Sequence, residues 1–250
     1  MIKPFFLVFF FAIFLVELLS GVKFLQVIKH AVIILAVSLL VLSPWVYRNT
    51  KLEGQFTFIS NNGGIVMYIN NNSQNNYGRW MAAADVENSI INTKEYQKAN
   101  MTAKNKMLSA AAKKWIISHP GRFIQLGFKR LVNTYFVGDD ILYALNGAGI
   151  SRYLQYIFIT YANLARNILF LPAIVLMIIS SVKIILNLIR RTSIESFTIY
   201  SLICFYMFTC VYFVTEGQGR YSFPVIFIAL YFFSALIFSI LSVVKKKVHL

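Results

Sequence analysis

An all-α, polytopic membrane fold is what this sequence predicts, and three observations carry the prediction. Of its 250 residues, 58% are hydrophobic and only 13% charged, whereas a soluble domain carries about a quarter charged residues. The mean hydropathy is +0.65. The apolar residues gather into runs of about the length a helix needs to cross the hydrocarbon core. In hydrocarbon a helix satisfies its own backbone hydrogen bonds, so each run is expected to be one.

Five runs, taken in order, give about five transmembrane helices. They cover about residues 4–19, about 31–47, a run ending near Leu186 and strongest from Ile168, about 197–214, and about 223–244. Residues 151–189 are too long for one span, reaching nearly twice the hydrocarbon thickness of about 30 Å. Residues 151–167 are therefore expected as an interfacial helix, with Arg166 snorkelling at the boundary. Residues 1–47 then hold two transmembrane helices and 48–152 a mainly helical extracytoplasmic loop domain. Residues 153–250 hold the interfacial helix and three transmembrane helices.

The charge pattern sets the orientation. The net charge is +15, from 24 Lys and Arg against 9 Asp and Glu. Short basic segments mark the cytoplasmic side: Lys23, Lys29 and His30, then Arg190 and Arg191, then Lys245, Lys246 and Lys247. The C-terminus falls in the cytoplasm, and residues 48–152 and 216–222 fall outside. Lys3 and the amino terminus disagree with this alternation. A cleaved signal peptide is one explanation, although no A-x-A-like site follows the apolar run. A chain that begins in the middle of a larger protein is the other. Basic charge lying between spans points to membrane lipid or a phosphate-bearing lipid as partner, not nucleic acid.

Cys204 and Cys210 lie six residues apart in one run, about 9 Å along a helix, and are not expected to pair. His30, His119 and His249 are scattered, and no metal-ligand spacing occurs. No metal or cofactor is expected.

Within the loop, residues 93–118 read as one helix, capped by Thr93 with Glu95 in its first turn. His119-Pro120 ends it, and Pro120 suits the first turn of the next. That second helix places Phe123, Ile124, Phe128, Leu131 and Tyr135 on an apolar face and Arg122, Lys129 and Arg130 on the rest. It suits the headgroup plane or ordinary packing equally.

The segment from Ser43 to Asn72 is the most distinctive. Pro44 and Trp45 mark the end of a span, and Arg48 follows at headgroup depth. Asn61, Asn62, Gly63 and Gly64 suit a turn that bares backbone N–H groups; an Arg beside such groups forms an anion site. An interface anchor followed by a hairpin turn fits the same residues.

The order of motifs resembles bacterial GT-C-type glycosyltransferases, the protein O-mannosyltransferase-like and aminoarabinose-transferase-like membrane enzymes. The residues that carry it are Pro44-Trp45-Val46-Tyr47-Arg48-Asn49, Gly54, Ser60-Asn61-Asn62-Gly63-Gly64 and Tyr68-Ile69-Asn70-Asn71. Downstream, Ile117-Ser118-His119-Pro120-Gly121-Arg122-Phe123 and Gly219-Arg220-Tyr221-Ser222-Phe223-Pro224 continue it. Asn61 departs from the usual Thr, and Asn70 from a Gly. The resemblance covers most of this chain but only the C-terminal half of a typical enzyme.

The resemblance implies transfer of a sugar from a polyprenyl-phosphate donor to an acceptor on the outer face of the cell membrane. Arg220, Tyr221 and Arg48 are the donor-phosphate residues it suggests, because an Arg can hold phosphate oxygens with two N–H groups. Asn62, Gly63 and Gly64 form a loop near donor or acceptor. Glu216 is a candidate partner for Arg220. The general base is a carboxylate of the first outer loop in that family, a segment expected to be missing here. The chain is therefore expected to be inactive alone, with a separate chain carrying the other half as one partner this would call for. Asp139-Asp140 reads as a solvated turn, and Asp85 and Glu87 as loop charges. A non-catalytic membrane module that binds a lipid-linked sugar or assists a partner enzyme is the alternative. A transporter would need charges buried in its spans, and only Glu17 and Lys183 offer themselves.

Overall fold

Long apolar runs without interior carboxylates become long helices, and helices dominate this chain. The structure is a computed structural model that describes residues 9–58, 62–190, 192 and 195–248. Readings that rest on Lys3, Ser60, Asn61, Arg191 and His249 lie outside the described residues. Among the described residues every regular element is helical. The α-helices are α1 (Phe9–Leu19), α2 (Phe24–Glu53), α3 (Gly63–Asn70), α4 (Lys94–Lys98), α5 (Met101–Ser118), α6 (Pro120–Tyr135), α7 (Ile141–Ala144), α8 (Arg152–Arg190), α9 (Ser196–Val214) and α10 (Ile226–Val248). Four stretches are long and apolar enough to cross a membrane: Phe24–Glu53, Arg152–Arg190, Ser196–Val214 and Gly219–Ser242. The first apolar run supplies only the shorter α1 among the described residues.

The chain divides into two units: Met1–Arg130 with Phe213–Glu216, and Leu131–Tyr212 with Gly217–Leu250. In the first, α1 packs on α2 and α3 packs on α5. Tyr68, Ile69, Val86, Leu108 and Ala112 form the core beneath α3 and α5. Glu17 of α1 accepts from His30 Nδ1 of α2 at 2.9 Å, so the acid inside the first run has a partner. In the second, α8 packs on α10. Tyr135, at the end of α6, lies between Phe170 of α8 and Phe205 of α9, and its hydroxyl meets Thr209 Oγ1 at 2.7 Å. Burial pushes the Tyr135 phenol well above its ordinary value. Cys204 and Cys210 are both free.

Pro44, read as the end of a span, lies inside α2, and the helix runs on past it to Glu53; two other sequence expectations are corrected below. A proline leaves the carbonyl four residues back without its usual donor; here Ser43 Oγ donates to Leu40 O at 2.7 Å and fills that role. Residues 151–189 do not split into an interfacial helix and a span. α8 is a single 39-residue helix, about 58 Å long at the usual rise. Residues 93–118 are two helices, not one. Thr93 Oγ1 caps α4 by accepting from Tyr96 N, as its sequence position predicts, but the chain turns extended at Ala99, and Asn100 Oδ1 caps α5 by accepting from Ala103 N. A second strong capping residue inside a helical pattern is a restart signal.

Gly64 shows why α3 and α5 lie so close. A Cβ there would stand 2.0 Å from the Asn105 carbonyl oxygen, a backbone atom that cannot yield. Gly64→Ala is expected to cost about 1–3 kcal/mol by overpacking. A lowered thermal midpoint of the purified chain in detergent checks this, and an unchanged midpoint would refute the close crossing.

Candidate functional site

The turn before α10 begins from the sequence Gln218-Gly219-Arg220-Tyr221-Ser222. Proline at 224 and the short 3-10 stretch Gly219–Val225 hold it as a tight entry to the helix. Gly219 is buried, and a Cβ there would press on the Val137 carbonyl oxygen at 2.8 Å and on Asp140 Oδ2 at 3.0 Å. The Gly219 carbonyl accepts from Arg166 Nη2 at 3.0 Å and from Ser222 Oγ at 2.8 Å. Arg166 Nη2 also donates to Thr134 O at 2.5 Å and Ser222 Oγ at 2.7 Å. Arg166 is half-buried among these acceptors rather than snorkelling to the surface. The physical reason is its fork of donors: a turn rich in carbonyl and hydroxyl oxygens takes Nη2, while the buried Nε finds no hydrogen-bond partner among the described residues.

Asp140 completes the turn. The Arg220 backbone N–H donates to its Oδ2 at 2.5 Å. Asp139 and Asp140 are both half-buried, and their charges attract the Arg166 guanidinium. The reading of this pair as a solvated turn is thereby corrected: Gly138 packs against Ala162 and donates to Asn163 Oδ1 at 2.8 Å, which draws the pair inward.

With the backbone fixed, the Arg220 side chain stands exposed, its guanidinium 5.6 Å from the centroid of the Tyr221 ring. Tyr221 stacks in turn on Tyr212, at 5.7 Å and 16°. A cation held over an aromatic face keeps its N–H edges available for oxyanions. Arg220 is also the second residue of the membrane-length stretch Gly219–Ser242. A residue there meets the headgroup layer when that stretch crosses a bilayer.

Arg48 lies in the first unit, near the C-terminal end of α2. It is exposed, 5.3 Å from the Trp45 ring centroid, and donates to Asn49 Oδ1 at 3.3 Å. α2 has 30 residues, about 45 Å of helix, so it outreaches a hydrocarbon core of about 30 Å. Glu216 is buried and also belongs to the first unit. Asn62 precedes α3, Gly63 has open space where a Cβ would sit, and the Gly64 N–H is taken by Asn105 Oδ1 at 2.5 Å. Gly64 is thus a packing residue, and its amide is not open to an anion.

The residue that sequence reasoning missed is Arg130. Expected on the polar side of α6, it is fully buried. It donates through Nη1 to Phe213 O at 2.6 Å and Val214 O at 3.3 Å, and through Nη2 to Asn70 O and to Asn71 Oδ1 at 3.0 Å. Burial lowers its pKa to about 10. Leu126 and Thr134 share its buried face, while Ile124, Phe128 and Val132 are exposed. The four-residue spacing of Leu126, Arg130 and Thr134 was the available signal. The Asn-rich patch is part of the same knot. Asn72 Oδ1 accepts from Gln74 N and Asn75 N, and Asn75 Oδ1 from Tyr77 N and Gly78 N. These asparagines build turns by binding their own backbone.

No protein-family model, curated protein or solved structure matches the chain.

Proposed function

We propose that this chain is a multi-pass cell-membrane protein that binds a polyprenyl-phosphate-linked sugar on the outer face. In this reading it is the C-terminal part of a GT-C-like glycosyltransferase. The short α1 completes five spans, residues 48–152 lie outside the cell, and the C-terminus is cytoplasmic. The observation that carries the reading is the Arg220 turn: an exposed guanidinium over Tyr221, on a backbone fixed by Arg166 and Asp140, at the mouth of a membrane-length helix.

The chemistry follows from that arrangement. As the sugar leaves, negative charge builds on the lipid phosphate. A fixed guanidinium stabilises this charge without having to reorganise. Tyr221 positions the guanidinium and supplies a hydroxyl to the same headgroup. Within the first unit, Arg48 is a further candidate cation for a lipid phosphate, Asn62 and Gly63 are candidates to border sugar or acceptor, and Gly64 sets the approach of α3 to α5. The general base is assigned to no residue of this chain, since Asp140, the carboxylate at Arg220, is engaged in holding the turn.

That engagement favours a second reading, a non-catalytic module that retains the lipid-linked sugar for a partner enzyme. One experiment separates the two. The full chain is placed in nanodiscs with polyprenyl-phosphate carrying a radiolabelled sugar. Label retained on the chain supports binding. Label moved to water or to an added acceptor assigns catalysis to the chain itself. Label that never associates with the chain refutes both readings.

A further inference from the structure

The first unit contains a cleft that the donor-phosphate reading does not use. Its volume is about 330 Å³, at the lower end of small-ligand pockets, about 300–1,000 Å³. Three segments form it. The end of α3 and the turn after it give Tyr68, Asn72 and Gln74; the loop gives Glu87 and Asn88; α5 gives Trp115.

The walls are held before any ligand arrives. Trp115 Nε1 donates to Ser73 Oγ at 2.9 Å, and its ring stacks on His119 at 5.0 Å and 14°. The Asn72 side chain is bound on both sides, donating to Tyr68 O and Ile69 O and accepting from Gln74 N and Asn75 N. Gln74 Nε2 donates to Glu87 Oε2 at 3.1 Å, joining two walls across the mouth. Asn88 sits at φ 51°, the single non-glycine residue with positive φ among the described residues. Asparagine tolerates that conformation better than most side chains.

The lining selects a chemistry. In a chain with net charge +15, no Lys, Arg or His lines the cleft, and Glu87 does. A phosphate or nucleotide would meet a carboxylate and no cation, so anions are disfavoured. A lipid tail or apolar drug-like molecule wants mostly apolar walls; beside Val86, Ala111 and Trp115 this cleft sets three asparagines, a glutamine, a serine and a carboxylate. A carboxylate accepts from sugar hydroxyls, and amides both accept from them and donate to them. The half-buried Trp115 indole beside them gives the C–H face of a sugar ring an apolar surface.

We infer that this cleft binds a neutral saccharide, oriented by Glu87, Gln74 and Asn88 and packed against Trp115. A saccharide bound here is an acceptor if the chain transfers sugar and a retained cargo if it does not. The inference rests on the cleft alone and not on the phosphate reading.

The test uses the full chain in detergent on an array of neutral oligosaccharides built from hexose and N-acetylhexosamine, with sulfated oligosaccharides of matched length alongside. The best neutral binder is then titrated against the wild type, Glu87→Gln and Trp115→Ala. The expected result is binding of neutral glycans over sulfated ones, weakened tenfold or more by each variant. Glu87 is exposed, so Glu87→Gln keeps the fold and stays decisive even if Trp115→Ala does not. No neutral binder, equal binding of the sulfated glycans, or undiminished affinity in Glu87→Gln would overturn the inference. The readout is glycan binding, so loss of phosphate-lipid binding elsewhere leaves this result standing, and the converse holds too.

Discussion

Replacing Arg220 by alanine is expected to weaken binding of polyprenyl phosphate by about 30- to 150-fold while leaving the thermal midpoint unchanged. The size follows from losing charge-assisted hydrogen bonds, about 2–3 kcal/mol. The unchanged stability follows from where the fold uses this residue. Its backbone N–H holds Asp140, and that bond survives the substitution. Its neighbours Gly219 and Ser222 are anchored by Arg166. Only the exposed guanidinium is removed. Arg220→Lys is expected to recover part of the affinity, because an ammonium keeps the charge but not the planar fork. Equilibrium binding to nanodiscs containing polyprenyl phosphate measures this. Undiminished binding by Arg220→Ala would remove Arg220 from the site.

Replacing Arg130 by alanine is expected to act in the opposite way, on stability first. The guanidinium is fully buried and answers three backbone carbonyls and an asparagine oxygen. Removing it takes a donor from each of those acceptors, Val214 O keeping Asn71 Nδ2 at 3.1 Å, and opens a void at the face it shares with Leu126. A buried polar group that loses its partner costs about 1–3 kcal/mol. The whole knot is expected to cost about 3–5 kcal/mol, as breaking other buried charged networks does. Arg130→Met keeps most of the volume and is expected to recover little, because the lost donors dominate over the lost volume. Thermal unfolding in detergent measures both variants. Wild-type stability in Arg130→Ala would show that the buried network carries no weight.

The contrast between these two arginines shows what the sequence could disclose. Arg220 was legible because it precedes an apolar run and follows a Gly, so its place at a helix mouth follows from hydropathy alone. Arg130 was not legible in the same way. Charge normally marks the wet side of an amphipathic helix, and only the network of carbonyls at Asn70, Phe213 and Val214 makes burial tolerable. Those carbonyls come from distant parts of the chain, which local pattern does not report. The local signals that did hold are chemical rather than hydropathic: Thr93 caps a helix, and His119-Pro120 divides α5 from α6.

The continuation of α2 past Pro44 and the continuity of α8 were hidden for a related reason. A proline breaks a helix only when nothing replaces its missing N–H, and Ser43 does so for Leu40. A long helix is cut at the bilayer surface only when some residue stops it, and Arg166 finds its partners without a break in α8. Gly64 was legible as a position needing a glycine, but its reason is the Asn105 backbone rather than a bare turn. In each case a specific third partner decided between two readings the sequence allowed.

Two lipids that differ only in their phosphate test the proposed lipid recognition most sharply. The full chain in nanodiscs is titrated with polyprenyl phosphate and, separately, with the matching neutral polyprenol. Tight, saturable binding of the phosphate, falling with added salt and absent for the polyprenol, is the predicted result. Equal binding of the two lipids, or none of either, would contradict the account.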